Sequence, residues 1–214
     1  MPLRRQDVVQ QALELLDDVG FPDLTMRRLA SALGVQPGAL YWHVENKQSL
    51  LAAVAEAILA QVGPVPPHAP WPERLRAWAD QLRQALCRYR DGAEVVASVL
   101  ATRTASVDPA AQAAEILRGA GMPRAQARIA GVNLLHFVLG HSVDVQGHAF
   151  MVQFGVADTE DEQSAADVFA AGLDVWLAGL AAFDVLGSDD RRVVIGGSPE
   201  PSSGRPAADT PPPS

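Results

Sequence analysis

Apolar residues recur at steps of three and four along most of the chain, which predicts helices throughout. The first helix is expected from about Arg4 to Val19, with Val8, Ala12, Leu15, Leu16 and Val19 as its buried stripe. Gly20 ends it, and Phe21-Pro22-Asp23 makes a bend. Thr25 is a good N-cap for a second helix carrying Met26, Leu29, Ala30 and Leu33. Gly34 stops that helix, because glycine takes the left-handed conformation cheaply. Val35 and Gln36 turn the chain, and Pro37 opens a third helix to about His43, pinned by Leu40 and Val44. So short a helix needs the second as its support, and small Ala30 lets the two cross closely. Asn46 caps a fourth helix with Leu50, Leu51, Val54, Ala57 and Ile58, which stops before the proline-rich PVPPHAPWP.

The rest of the chain shows no strand pattern. Pro72 opens a helix to about Arg90, with Leu75, Trp78, Ala79, Leu82 and Leu86 inward. Asp91-Gly92 breaks it, and an apolar segment, Ala93 to Leu100, follows. Asp108-Pro109 caps and opens a helix to about Arg118. Pro123 starts the next, expected to reach Gln146 and to fray before His148 because of Gly147. The last helix is expected from Ser164 to Leu186. Its Phe169, Leu173, Trp176, Leu180 and Phe183 alternate steps of four and three, the spacing of a helix-bundle seam. The Pro123 helix is apolar nearly all round, so one side is expected to face the core and the other a second subunit. The pattern divides the chain into residues 1–62, residues 63–187 and a tail, 188–214, whose Pro and Ser content predicts disorder.

Composition narrows the class. The longest apolar run, 129–143, is interrupted by Asn133, His136 and His141, so no membrane span is expected. The first residues turn amphipathic at once without a signal-peptide core, and the single cysteine, Cys87, suits a reducing cytoplasm. The net charge of −8 does not by itself suggest nucleic acid. Local distribution differs: the basic residues of the first fifty are Arg4, Arg5, Arg27, Arg28 and Lys47.

Two short helices, a tight turn and a third helix make a helix-turn-helix. Tyr41, Trp42 and His43 cluster at the end of its second helix, with Lys47 beyond. Adjacent helical residues point about 100° apart, so Tyr41 and Trp42 cannot both be central to a core. An exposed aromatic pair beside a lysine points to DNA. The run VVQQALELLDDVG, LTMRRLASALGV and GALYWHVENKQSLL resembles the DNA-binding domain of the TetR family of one-component transcriptional regulators, in its tetracycline-repressor branch. The resemblance implies an all-α, two-domain homodimer, sealed by a four-helix bundle, that represses from double-stranded operator DNA until a small-molecule inducer of unknown identity binds. Carried over residue by residue, it implies base-edge contact by Arg27 and Gln36. Tyr41, Trp42, His43 and Lys47 would hold phosphates, with Thr25 helping. Pro37, Gly38 and Ala39 replace larger polar groups, so the operator should differ from a tetracycline operator.

The resemblance extends to RDGAEVV and HFVLGHSVDVQ. In that branch the pocket takes magnesium-bound tetracycline, held partly by a histidine after the RDGA segment and by an acid on the pocket helix. Here Val96 falls at the histidine position, while Asp144 falls at the acid position and His136 matches a pocket histidine. The direct metal ligand is missing, so magnesium-tetracycline is not expected and no cofactor is implied. An apolar ligand is expected instead between the Trp71 and Pro123 helices, near Leu82, Leu86, Val96, His136, Leu139, Val143 and Asp144. His141, Asp144 and His148, at i, i+3 and i+7, are the weak alternative for a metal. The competing classes are a regulator without a ligand, and a helical carrier or enzyme. An enzyme needs a nucleophile and base or a closed metal site, and the sequence offers neither.

Overall fold

The computed structural model describes residues 3–102, 107–158 and 162–186. Among these residues nine helices and no strand are found: α1 (Arg5–Val19), α2 (Met26–Ala32), α3 (Pro37–Leu40), α4 (Lys47–Leu59), α5 (Trp71–Cys87), α6 (Gly92–Thr102), α7 (Pro109–Gly119), α8 (Arg124–Gln153) and α9 (Glu162–Leu186). The tail, 188–214, lies outside the described residues.

The helix starts follow from local chemistry. Thr25 Oγ1 accepts the Arg28 N–H at 3.2 Å. Asn46 and Ser49 cap each other reciprocally: Asn46 Oδ1 accepts the Ser49 N–H at 2.8 Å and Ser49 Oγ accepts the Asn46 N–H at 3.0 Å. Asp108 Oδ1 accepts the Ala110 N–H at 3.1 Å. Gly34 takes φ +65° at the turn between α2 and α3. α1 sits slightly rotated from its expected stripe: Val8, Ala12, Leu13 and Leu16 are buried, and Leu15 and Val19 only partly. α3 ends at Leu40 and not His43, because both His43 and Val44 donate their N–H to the Leu40 carbonyl and close a turn.

α1 to α4 enclose a small core around Leu16, Leu24, Leu29, Leu40 and Leu50, each with no exposed surface. α4 then runs on against α5 and α6. Two hydrogen bonds tie the end of α1 to the α5–α6 corner. Asp91 Oδ2 accepts the Phe21 N–H at 2.8 Å, and Asp17 Oδ1 accepts the Arg90 N–H at 3.0 Å. The approach is close enough to require glycine. Gly20 has φ +80°, and a Cβ there would lie 2.7 Å from Asp91 Oδ2. Asp91 itself has φ +54°, the one non-glycine with positive φ among the described residues, held there by its partner Phe21.

α8 continues through Gly147 to Gln153, beyond the expected end at Gln146. A glycine costs about 1 kcal/mol in a helix, and packing on the α5–α6 corner outweighs it. Gln146 Nε2 donates to the Tyr89 carbonyl at 2.7 Å and to that of Leu86 at 3.4 Å, while its Oε1 accepts the Ala93 N–H at 3.1 Å. One side chain thus satisfies backbone groups at the end of α5 and the start of α6.

α9 lies over α5 and α8. Phe169, Leu173 and Leu177 are buried within the protomer, Trp176 and Leu180 are half-buried, and Phe183 lies in α9 with its side chain outside the described residues. Part of the α9 seam thus packs on the chain's own core, where Phe169, Leu173 and Leu177 cover α8. The opposite face carries Val168 and Val175, 63% and 74% exposed. Residues 164–182 have mean hydropathy 1.5 and are long and apolar enough to cross a membrane, which the sequence reading did not anticipate.

Candidate DNA-reading surface and ligand groove

The reading head presents α2 and α3 on one side. Arg27, Gln36, Pro37 and Gly38 are exposed, and Thr25, Ala39, His43 and Lys47 are half-buried. Tyr41 is 52% and Trp42 90% exposed, so neither aromatic belongs to the core. Leu40 and Val44 hold the helix in place instead, at 0% and 2%. Arg28 pairs with Asp23 at 3.1 Å. The Lys47 ammonium sits 5.7 Å from the centroid of the Phe21 ring, which places the tip of this flexible side chain beside the bend.

Two openings flank α8. Leu82, Leu86 and Val96, where the sequence placed the ligand, have no exposed surface, and α5 packs directly on α8. An open groove of about 890 Å³ lies between α6 and α8, capped by the start of α7. Its wall is apolar, with Leu100, Val132, Leu135, Leu139 and Val143, and it brings in His136 as expected. Asp144 is exposed and does not line it. The polar end is the Arg128–Asp108 ion pair, at 2.6 Å. Val143 also borders a second cleft, of about 460 Å³, that reaches Val19 and Pro22 at the reading head.

His141, Asp144 and His148 do not assemble into a ligand set; no group of three such side chains able to hold a metal occurs among the described residues. Residues i and i+7 share a helix face but are separated by about 10 Å of rise, too far for one ion. His141 turns to Phe169, with ring centroids 5.0 Å apart, and His148 Nε2 lies 3.2 Å from the Asp158 carbonyl oxygen. Burial lowers the His141 pKa; the Arg83 charge adds to this and Asp144 opposes it. Burial pushes the Cys87 thiol up, partly offset by a hydrogen bond with Ser142. Sequence reasoning missed Gln146 and the Asp17–Asp91 corner. Only the short RDG turn, Arg90 to Gly92, marked the corner, and nothing local marked Gln146.

A helix-turn-helix reading head, fastened to a helical domain with an apolar groove, is the architecture of a DNA-binding transcriptional regulator. Family comparison agrees. Residues 8–54 match the model of bacterial regulatory proteins of the tetR family, and residues 63–166 match the tetracyclin repressor-like C-terminal domain. The tetracycline repressor protein class C of Escherichia coli is 40% identical over 149 residues, 67% of each chain. Mycobacterium smegmatis BioQ superposes with TM-score 0.78 at 38% identity, covering 85% of this chain and 99% of that one. A BioQ structure with its double-stranded DNA operator gives TM-score 0.63 at 38% identity, over 79% and 99% of the two chains. A single-residue variant of TetR from Acinetobacter baumannii AYE, in complex with minocycline, gives 0.72 at 33% identity over 88% and 100%. The chain belongs to the TetR family. It is a DNA-binding transcriptional regulator.

Proposed function

We propose that the inducer is an apolar small molecule that enters the α6–α8 groove, and that it is not magnesium-bound tetracycline. The groove carries this reading. Its volume of about 890 Å³ fits a drug-sized ligand. Its walls are aliphatic, and its polar groups are confined to His136 and the Arg128–Asp108 end. Val96 offers no metal ligand and is fully buried. The reading head, residues 1–62, uses Arg27 and Gln36 on base edges, and Thr25, Tyr41, Trp42, His43 and Lys47 on phosphates. Residues 63–187 bind the ligand and the second subunit, with Val168, Val175, Trp176 and Leu180 of α9 at the contact. The protein works in the cytoplasm.

A ligand shifts DNA affinity only by binding two conformations unequally. The two reading heads of a dimer must meet grooves about 34–36 Å apart. Val143 borders both the groove and the cleft against Val19 and Pro22, so a ligand that displaces it presses on the joint beneath the reading head. Gly140 lines the groove, and a Cβ there meets nothing within 4 Å. Gly140→Phe should therefore fold, keep operator affinity and fill the groove. A gel-shift release assay against hydrophobic drugs, and against minocycline with magnesium, tests this. An inducer that releases wild type and Gly140→Phe at equal concentration places the site elsewhere.

A further inference from the structure

Leu40 and Gly38 are two residues apart on α3, so they point about 160° from each other. Leu40 has no exposed surface. The Gly38 position is therefore the one that faces most directly away from the core. It is exposed, and a Cβ built there meets nothing within 4 Å. Exposed Pro37 and half-buried Ala39 flank it. None of the three side chains carries a hydrogen-bond donor or acceptor. Between Gln36 and Tyr41, the front of the reading helix presents only C–H groups and backbone.

In the major groove each base pair shows its own pattern of donors and acceptors, and thymine adds a C5 methyl group. A C–H surface pressed on a polar base edge strips water from it without replacing the hydrogen bond, which is unfavourable. The same surface over a methyl group removes apolar area from water, which is favourable. Glycine at the foremost point lets the backbone come closer than any side chain permits. On the operator-binding reading above, we infer that α3 recognises its operator through close apolar contact. Gly38 lies against the groove floor, Pro37 and Ala39 cover thymine methyl groups, and hydrogen-bonded base readout is confined to Gln36 and Arg27 on the flanks. The partner is DNA whose half-sites place thymines under the centre of α3.

The test begins with operator fragments selected by the intact protein from random duplex DNA. Replacing thymine by deoxyuridine removes the methyl group and nothing else. Each central thymine so replaced should weaken binding about fourfold, the value of one buried carbon, and thymines outside the half-sites should have no effect. Gly38→Ala supplies the second arm. Alanine has open space and a better helix propensity than glycine, so the free variant should melt no lower than wild type. Its operator affinity should nonetheless fall about tenfold, while its affinity for random DNA, set by phosphates, stays unchanged. Unchanged binding on uridine replacement at every position, or a Gly38→Ala protein that holds the operator as wild type does, overturns the inference. Failure of the wild type to select any sequence overturns the operator-binding reading itself, a separate result.

Discussion

Arg27 and Lys47 are cations on one reading head, yet they are held differently. Arg27 stands exposed on α2, while Lys47 opens α4 with its ammonium over the Phe21 ring. A planar guanidinium can fork onto a base edge, and an ammonium acts as a point charge. Arg27→Ala should cost about 1–3 kcal/mol on the operator and relax preference at one position of each half-site. Lys47→Ala should weaken operator and random DNA alike and reduce the salt slope by about one. Titrations of both variants on both DNAs at several salt concentrations separate the roles; an Arg27→Ala protein with the wild-type specificity ratio removes Arg27 from base readout. At this scale the sequence was legible wherever chemistry is local. Thr25, Asn46 and Asp108 cap the helices that their positions foretold. Gln146 was not legible, because its partners Leu86, Tyr89 and Ala93 lie 53 to 60 residues away along the chain.

Among the helices, α9 depends on how one ring is seated. Phe169 stacks on Phe137 at 5.4 Å, meets His141 at 5.0 Å and has the Arg83 guanidinium 5.1 Å from its centroid. His141 Nε2 is buried and has no hydrogen-bond partner among the described residues. Burial first, and Arg83 second, hold the His141 pKa below its ordinary 6.5, with Asp144 pulling the other way. As pH falls through 6.5 the unfolded chain takes up this proton before the folded one. The contribution of neutral His141 is therefore full above 6.5 and is lost as pH falls toward its folded value. The melting temperature should drop on acidification below 6.5, and His141→Phe, which keeps a ring against Phe169, should lessen that drop. Equal slopes in the two proteins would clear His141 of the effect. The helix ends show why elements were only partly readable. Starts are written in caps, but α3 stops early through a backbone turn, and α8 runs on because a distant corner holds it.

For the whole molecule, fold class and the order of head and sensory domain followed from periodicity and the resemblance of the first helices. The groove did not, because a pattern tells which residues are buried and not how far apart two helices lie. α5 and α8 close on Leu82 and Leu86, and the opening falls between α6 and α8. On α9, Phe169, Leu173 and Leu177 serve the protomer's own core, while Val168 and Val175 remain outside and Trp176 and Leu180 are half-buried. Val175→Asp should leave the protomer folded, since the side chain is 74% exposed there. It should abolish the dimer, since an unpaired carboxylate buried at a contact costs several kcal/mol. Sedimentation at increasing concentration decides; a stable Val175→Asp dimer would take this face out of the interface.

The uncovered valines of α9 also set how the protein answers to its own abundance. Val168 and Val175 leave a lone protomer with exposed apolar side chains, which the α9 contact proposed above would cover with a twin. Pairing is a mass-action event, so the stability of the assembly rises with the amount of chain present. When copies are scarce, the pool of paired chains grows with the square of expression. On that proposed contact, promoter silencing should set in as a threshold: modest changes in gene dosage near that point would alter transcription more than in proportion, before any inducer arrives.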